Sequence, residues 1–84
     1  MNTIVDKSGI AAKIKTIFHE KLGVEESSLV PSASFTNDLG LDSLDVLETF
    51  MALEKEFNLK IGDEEAERLT TVGSVIDYFI AHAH

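Results

Sequence analysis

The chain contains no cysteine, a single proline (Pro31) and only seven basic residues in 84. Without cysteine there is no disulfide and no thiolate metal site, and the redox compartment is left open. With so few cations there is no Lys/Arg stripe. An acidic surface repels nucleic-acid backbones, so no nucleic-acid partner is expected. No apolar run approaches membrane-spanning length, so no membrane insertion is expected. Met1 to Asp6 lacks the basic stretch and apolar run of a secretory signal, and the expected location is the cytoplasm. No internal repeat or low-complexity tract is present. A catalytic apparatus is missing too: there is no acid–base pair, metal set or nucleotide loop, so an enzyme is not expected.

What is present is an ordinary apolar fraction of 44%, which argues for a folded domain. Eighty-four residues make one domain, residues 1–84. A domain of this size buries roughly 60% of its unfolded surface, enough for a modest core and too little for a deep enzyme cleft. Fifteen acidic residues against seven basic ones give a net charge of −8. If that charge is gathered on one face, it points to basic protein partners. It also costs stability through self-repulsion.

Hydrophobic periodicity predicts an all-α fold. Ile10, Ile14, Ile17, Phe18 and Leu22 recur at three- and four-residue steps, which predicts a helix over Ser8–Leu22 with Ser8 as N-cap and Gly23 as stop. Asn2 to Lys7 either extends that helix or frays. Glu25 to Gly40 is a long polar connection in which Leu29, Phe35 and Leu39 are spaced as pins into the core, with a short turn over 37–39. A second helix is expected over Ser43–Phe57. Val46, Thr49, Phe50, Leu53 and Phe57 share its inner face, and Leu44, Leu47 and Met51 fall nearly opposite. Leu59 and Ile61 anchor a connector. Asp63–Arg68 then forms a short helix with its acids first and its base last. Thr70 or Thr71 caps a final helix to His82, facing inward through Val72, Val75, Ile76, Phe79 and Ile80. The expected architecture is a small bundle of three main helices plus a short fourth, with a long loop between the first two.

The most informative stretch is Asp38-Leu39-Gly40-Leu41-Asp42-Ser43-Leu44-Asp45, where a loop becomes a helix. A helix start favours bound phosphate, because unpaired N–H groups and the positive end of the dipole face outward there. An arbitrary serine in that position is usually only a cap. Here Asp42 is available for that role, which would free the Ser43 hydroxyl. No histidine is near in sequence and no oxyanion-hole loop is recognisable, so Ser43 reads as a residue modified by another enzyme rather than as a nucleophile acting alone. A calcium loop counted from Asp38 fails, since its sixth residue is Ser43 rather than glycine and its twelfth is Thr49 rather than glutamate.

That octapeptide is followed by Met51-Ala52-Leu53-Glu54-Lys55-Glu56-Phe57, Asp63-Glu64-Glu65-Ala66-Glu67 and Thr70-Thr71-Val72. In this order the segments resemble the bacterial acyl carrier proteins of type II fatty-acid synthesis, from about Ser8 to Ala81. The resemblance implies that a phosphopantetheinyl transferase moves 4′-phosphopantetheine from coenzyme A onto Ser43. The chain would then carry acyl groups as thioesters while catalysing nothing itself. It implies partners among fatty-acid synthesis enzymes (ketosynthases, reductases, dehydratases) and acyltransferases with basic patches. They would be met by the carboxylates of Asp42, Asp45, Glu48 and Glu54 and by the apolar seam of Leu44, Leu47 and Met51. It implies an interior gap for the acyl chain, lined on the second helix by Val46, Phe50 and Leu53 and beyond it by Ile61, Ala66, Leu69 and Ile76. A monomer is expected.

Departures from the family pattern bear on these expectations. Lys55 replaces a frequent acid and lowers the local negative field. Gly62 replaces a frequent proline, which predicts a more flexible connector. Phe50 is bulky for a cavity-facing position and predicts a shortened pocket. Residues 1–7 form an N-terminal extension and residues 82–84 a frayed tail outside the match; a metal site at His82 and His84 is not expected. Two other readings stand beside the main one: a dedicated carrier for polyketide, nonribosomal or specialised lipid assembly, and an unmodified helical interaction module.

Overall fold

A computed structural model describes residues 7–82. Four α-helices follow one another: α1 (Lys7–Leu22), α2 (Ser43–Phe57), α3 (Asp63–Arg68) and α4 (Val72–His82). A single 3-10 turn at Glu26–Ser28 interrupts the α1–α2 connection. Among the described residues there is no strand, only one antiparallel bridge between Ser34 and Thr71. The expected all-α bundle is therefore the observed one. Ser8 already lies within the described span of α1 and so is not its N-cap. The alternative that residues 2–6 extend the helix lies outside the described residues, as do the last two residues of the tail.

The apolar stripes meet in one core. Ile10, Ile14 and Phe18 of α1, Phe50 and Leu53 of α2, and Val72, Val75, Ile76 and Phe79 of α4 are all buried. Thr49, the one buried polar residue among those described, donates its hydroxyl to the Asp45 carbonyl at 2.9 Å and so brings no unpaired group inside. Phe35 stacks on Phe18 with ring centres 5.1 Å apart and meets Phe50 edge-on at 6.0 Å. An aromatic column thus runs from α1 through the long loop to α2.

That loop is a strap tied to the start of α4. Leu29 and Phe35 are buried as expected, Leu39 is half-buried, and Ala33 joins them in the core. The N–H groups of Val72 and Gly73 have no carbonyl one turn earlier to bond, and they donate instead to the carbonyls of Ala33 (3.0 Å) and Pro31 (2.9 Å). Phe35 N–H returns a bond to the Thr70 carbonyl at 3.1 Å. Position 73 must be glycine for this contact: a Cβ there would stand 2.8 Å from the Pro31 oxygen. Thr71, rather than Thr70, caps α4. Its Oγ1 accepts Ser74 N–H at 3.2 Å while Ser74 Oγ accepts Thr71 N–H at 3.1 Å.

The connector between α2 and α3 is held more firmly than its glycine predicted. Asn58 ends α2 in the left-handed region at φ 52°. Leu59 N–H donates to the Glu54 carbonyl (3.0 Å), Ile61 N–H to Glu54 Oε2 (2.7 Å), and Tyr78 O–H to the Lys60 carbonyl (3.3 Å). Ile61 itself is buried. Partial burial first, and the carboxylates of Glu65 and Glu54 after it, hold the Tyr78 phenol above its ordinary value of 10.0.

Candidate functional site

The site grows from the turn that precedes α2. Asp38 Oδ2 accepts Ser34 N–H at 2.7 Å, and the Ser34 carbonyl accepts both Asp38 and Leu39 N–H at 3.0 Å. The turn covers 35–38, slightly earlier than expected. Gly40 then takes φ +66°, a left-handed conformation that a side chain strains. A Cβ at this position would meet nothing within 4 Å, so conformation rather than close approach requires the glycine. Leu41 N–H donates to the Phe35 carbonyl at 2.9 Å and brings the chain to the helix start.

There Asp42 is the N-cap. Its Oδ1 accepts Asp45 N–H at 2.9 Å and its carbonyl accepts Val46 N–H at 3.1 Å. Ser43 is the first helical residue. It is exposed, and among the described residues its hydroxyl has no hydrogen-bond partner. The cap and the free hydroxyl are thus divided between two neighbours.

Beside Ser43 opens a cleft of 490 Å³ between α2, the strap and α3. Val46, Phe50, Ala66 and Leu69 line it, four of the seven residues expected around an interior gap. Leu53, Ile61 and Ile76 do not; they are packed into the closed core behind. Phe35 and Leu47 complete the apolar lining, and Thr36, Thr70, Asp63 and Glu67 supply its polar part. Sequence periodicity missed Thr36 and Thr70, because the Ser34–Thr71 bridge that aligns them joins segments far apart in the chain.

Along α2 an apolar seam faces solvent. Leu44 is 63% exposed, Leu47 49% and Met51 64%. The carboxylates of Asp42 and Glu48 are exposed beside it, and Asp45 is half-buried. Glu54, expected among the outward carboxylates, is half-buried and already engaged by Ile61 N–H. Toward the far end of α2 a wider groove of 920 Å³ mixes Lys21, Lys55 and Lys60 with Glu20, Glu48, Glu54 and Glu56. The start of α2 carries only acids, and Lys55 in its last turn is the helix's one cation. That groove lies away from Ser43, and the smaller cleft is the one adjoining the free hydroxyl. Among the described residues no group of three His, Asp or Glu side chains is placed to hold a metal ion, and no helix is long and apolar enough to cross a membrane.

A family model described as "Phosphopantetheine attachment site" matches residues 12–79. The chain belongs to that family. It is an acyl-carrier-protein-like carrier domain, and the family is the site of covalent 4′-phosphopantetheine attachment. Carrier domains of this family are not catalysts; a phosphopantetheinyl transferase modifies them, and synthesis enzymes act on what they hold. The carrier's residues fit such an arm. A phosphodiester needs a free hydroxyl, and an exposed one stands at the start of a 15-residue helix whose first N–H groups and dipole favour phosphate.

Proposed function

We propose that Ser43 carries the 4′-phosphopantetheine arm and that the protein shuttles acyl thioesters for fatty-acid synthesis. A transferase would join the Ser43 oxygen to the phosphorus of the pantetheine half of coenzyme A. The nucleotide half leaves, and the serine proton is released. The arm supplies a terminal thiol, which carries acyl groups as thioesters. The chain's own residues do the rest. Asp42 holds the turn and leaves the hydroxyl unengaged. The Leu44, Leu47 and Met51 seam, flanked by Asp42, Asp45 and Glu48, meets apolar centres ringed by Lys and Arg on partner enzymes. Such charge pairing speeds encounter and fixes orientation, and the tether raises the thioester's effective concentration at each partner. Glu54 contributes inwardly, by holding the connector.

The single observation supporting the attachment point is the exposed Ser43 hydroxyl, unbonded among the described residues, next to a capping Asp42. Support for fatty-acid synthesis over polyketide or nonribosomal assembly comes from Met51-Ala52-Leu53-Glu54 and Asp63-Glu64-Glu65, which resemble the fatty-acid carriers. On this reading the carrier works as a cytoplasmic monomer. Incubation with coenzyme A and a transferase should add one arm to the intact mass, and Ser43→Ala should abolish the gain while leaving the helical circular dichroism unchanged. Loading of the alanine variant would refute the attachment point. A fatty-acid ketosynthase holding an acyl primer should then condense that primer with the malonyl-loaded carrier, releasing carbon dioxide and leaving a β-ketoacyl carrier; condensation only by polyketide enzymes would overturn the pathway.

A further inference from the structure

The cleft beside Ser43 has a hard floor. Its deepest α2 residue is Phe50, only 3% exposed, and the Phe50 ring meets the edge of Phe35, which is stacked flat on Phe18. Leu53, Ile61 and Ile76, the apolar residues beyond that column, are buried and take no part in the lining. Three braced rings resist displacement, because moving one breaks contacts with the next in a close-packed interior. We propose that Phe50 is the specificity-determining residue of this carrier: it ends the cleft and confines the sheltered cargo to short and medium acyl chains, leaving longer chains outside.

This inference rests on Ser43 as the attachment point. Phe50 lies about two turns beyond Ser43, roughly 10 Å along α2 at about 1.5 Å per residue, and the cleft that it ends must also admit part of the arm. The polar groups of Thr36, Thr70 and Glu67 also line the cleft and suit the amide-bearing arm better than a long alkyl tail.

The test compares melting temperatures of acetyl, butyryl, hexanoyl, octanoyl, decanoyl and dodecanoyl carriers with that of the thiol form of the same variant. Loading of each is verified by intact mass. For the wild type, the gain in melting temperature should grow with chain length and stop growing by octanoyl. Phe50→Ala should extend the rise to decanoyl and dodecanoyl. Phe50→Leu, which keeps more of the core, should extend it partway and guards against an alanine variant that fails to fold. Using each variant's own thiol form as reference removes its general loss of stability. A wild-type gain still rising at dodecanoyl, or the same plateau in folded Phe50 variants, would overturn the proposal. Failure of Ser43 to load at all is a distinct outcome, seen in the mass spectrum, and refutes the attachment point together with this inference.

Discussion

At the start of α2 two adjacent side chains divide the work that one usually does. Asp42 satisfies the helix end, so Ser43 is left with an exposed hydroxyl that no described residue holds. Both roles were legible from sequence, because capping chemistry is local and needs no tertiary information. The role of Glu54 was not. Its helical position suggested an outward carboxylate, yet the following connector folds back and gives it the Ile61 N–H. Glu48 has no such partner among the described residues and remains exposed beside Leu44 and Leu47. Glu48→Lys is expected to slow association with a basic transferase on the order of tenfold at low ionic strength, with little effect at high salt. Stopped-flow association rates across a salt series measure this, and an unchanged low-salt rate counts against the partner face. Tyr78 sets a different expectation. Because folding raises its phenol above 10.0, the native state holds that proton more tightly than the unfolded chain. The stability this contributes is complete below pH 10.0 and is lost as pH rises above it. Tyr78→Phe should therefore show a shallower alkaline decline in chemical denaturation, and an identical slope would show that the phenol does not contribute.

Among the elements, α1, α2 and α4 were readable because each repeats its apolar residues at helical spacing, and α3 because its acids come first and its base last. The long loop was only partly readable. Leu29 and Phe35 stood out as pins, but Ala33 is too small to signal burial, and the backbone bonds from Val72 and Gly73 leave no pattern in side-chain type. The cleft was legible on its α2 side through Val46 and Phe50, and illegible where the strap and α4's cap residues meet through the Ser34–Thr71 bridge. Two glycines give opposite expectations. Gly62 has φ −68°, its N–H makes no hydrogen bond among the described residues, and a Cβ there would meet only Glu65 Cγ at 3.8 Å. Proline suits that backbone, so Gly62→Pro should stabilise by about 0.4–1 kcal/mol by restricting the unfolded chain. Gly73→Ala should destabilise by about 1–3 kcal/mol, because its Cβ would press on Pro31 at 2.8 Å and pry the strap from α4. Urea denaturation midpoints measure both; a destabilising proline or a neutral alanine would contradict the geometry.

For the whole molecule, the net charge of −8 sets the balance between function and stability. One ion pair, Lys13 to Glu56 at 2.8 Å, is formed among the described residues, and both side chains are largely exposed, so it offsets little of the repulsion. No Lys or Arg stands between Lys21 and Lys55 in the sequence, so the Ser43 end of α2 carries Asp42, Asp45 and Glu48 without a cation on the same stretch, whereas the groove toward the far end mixes three lysines with four glutamates. Raising salt, or adding magnesium, should lift the melting temperature by roughly 5 °C, the shift that about 1 kcal/mol produces in a domain this small. A flat titration would mean that the charges are already dispersed. The same acidic end is where the arm is proposed to sit, so charge, seam, cleft and hydroxyl converge on one end of the molecule. The most direct measurement is peptide mass spectrometry of the protein isolated from its native cell. The peptide containing Ser43 should carry the mass of 4′-phosphopantetheine, with or without an acyl group on its thiol. A Ser43 peptide found only bare, or an arm found on any other residue, would contradict the account.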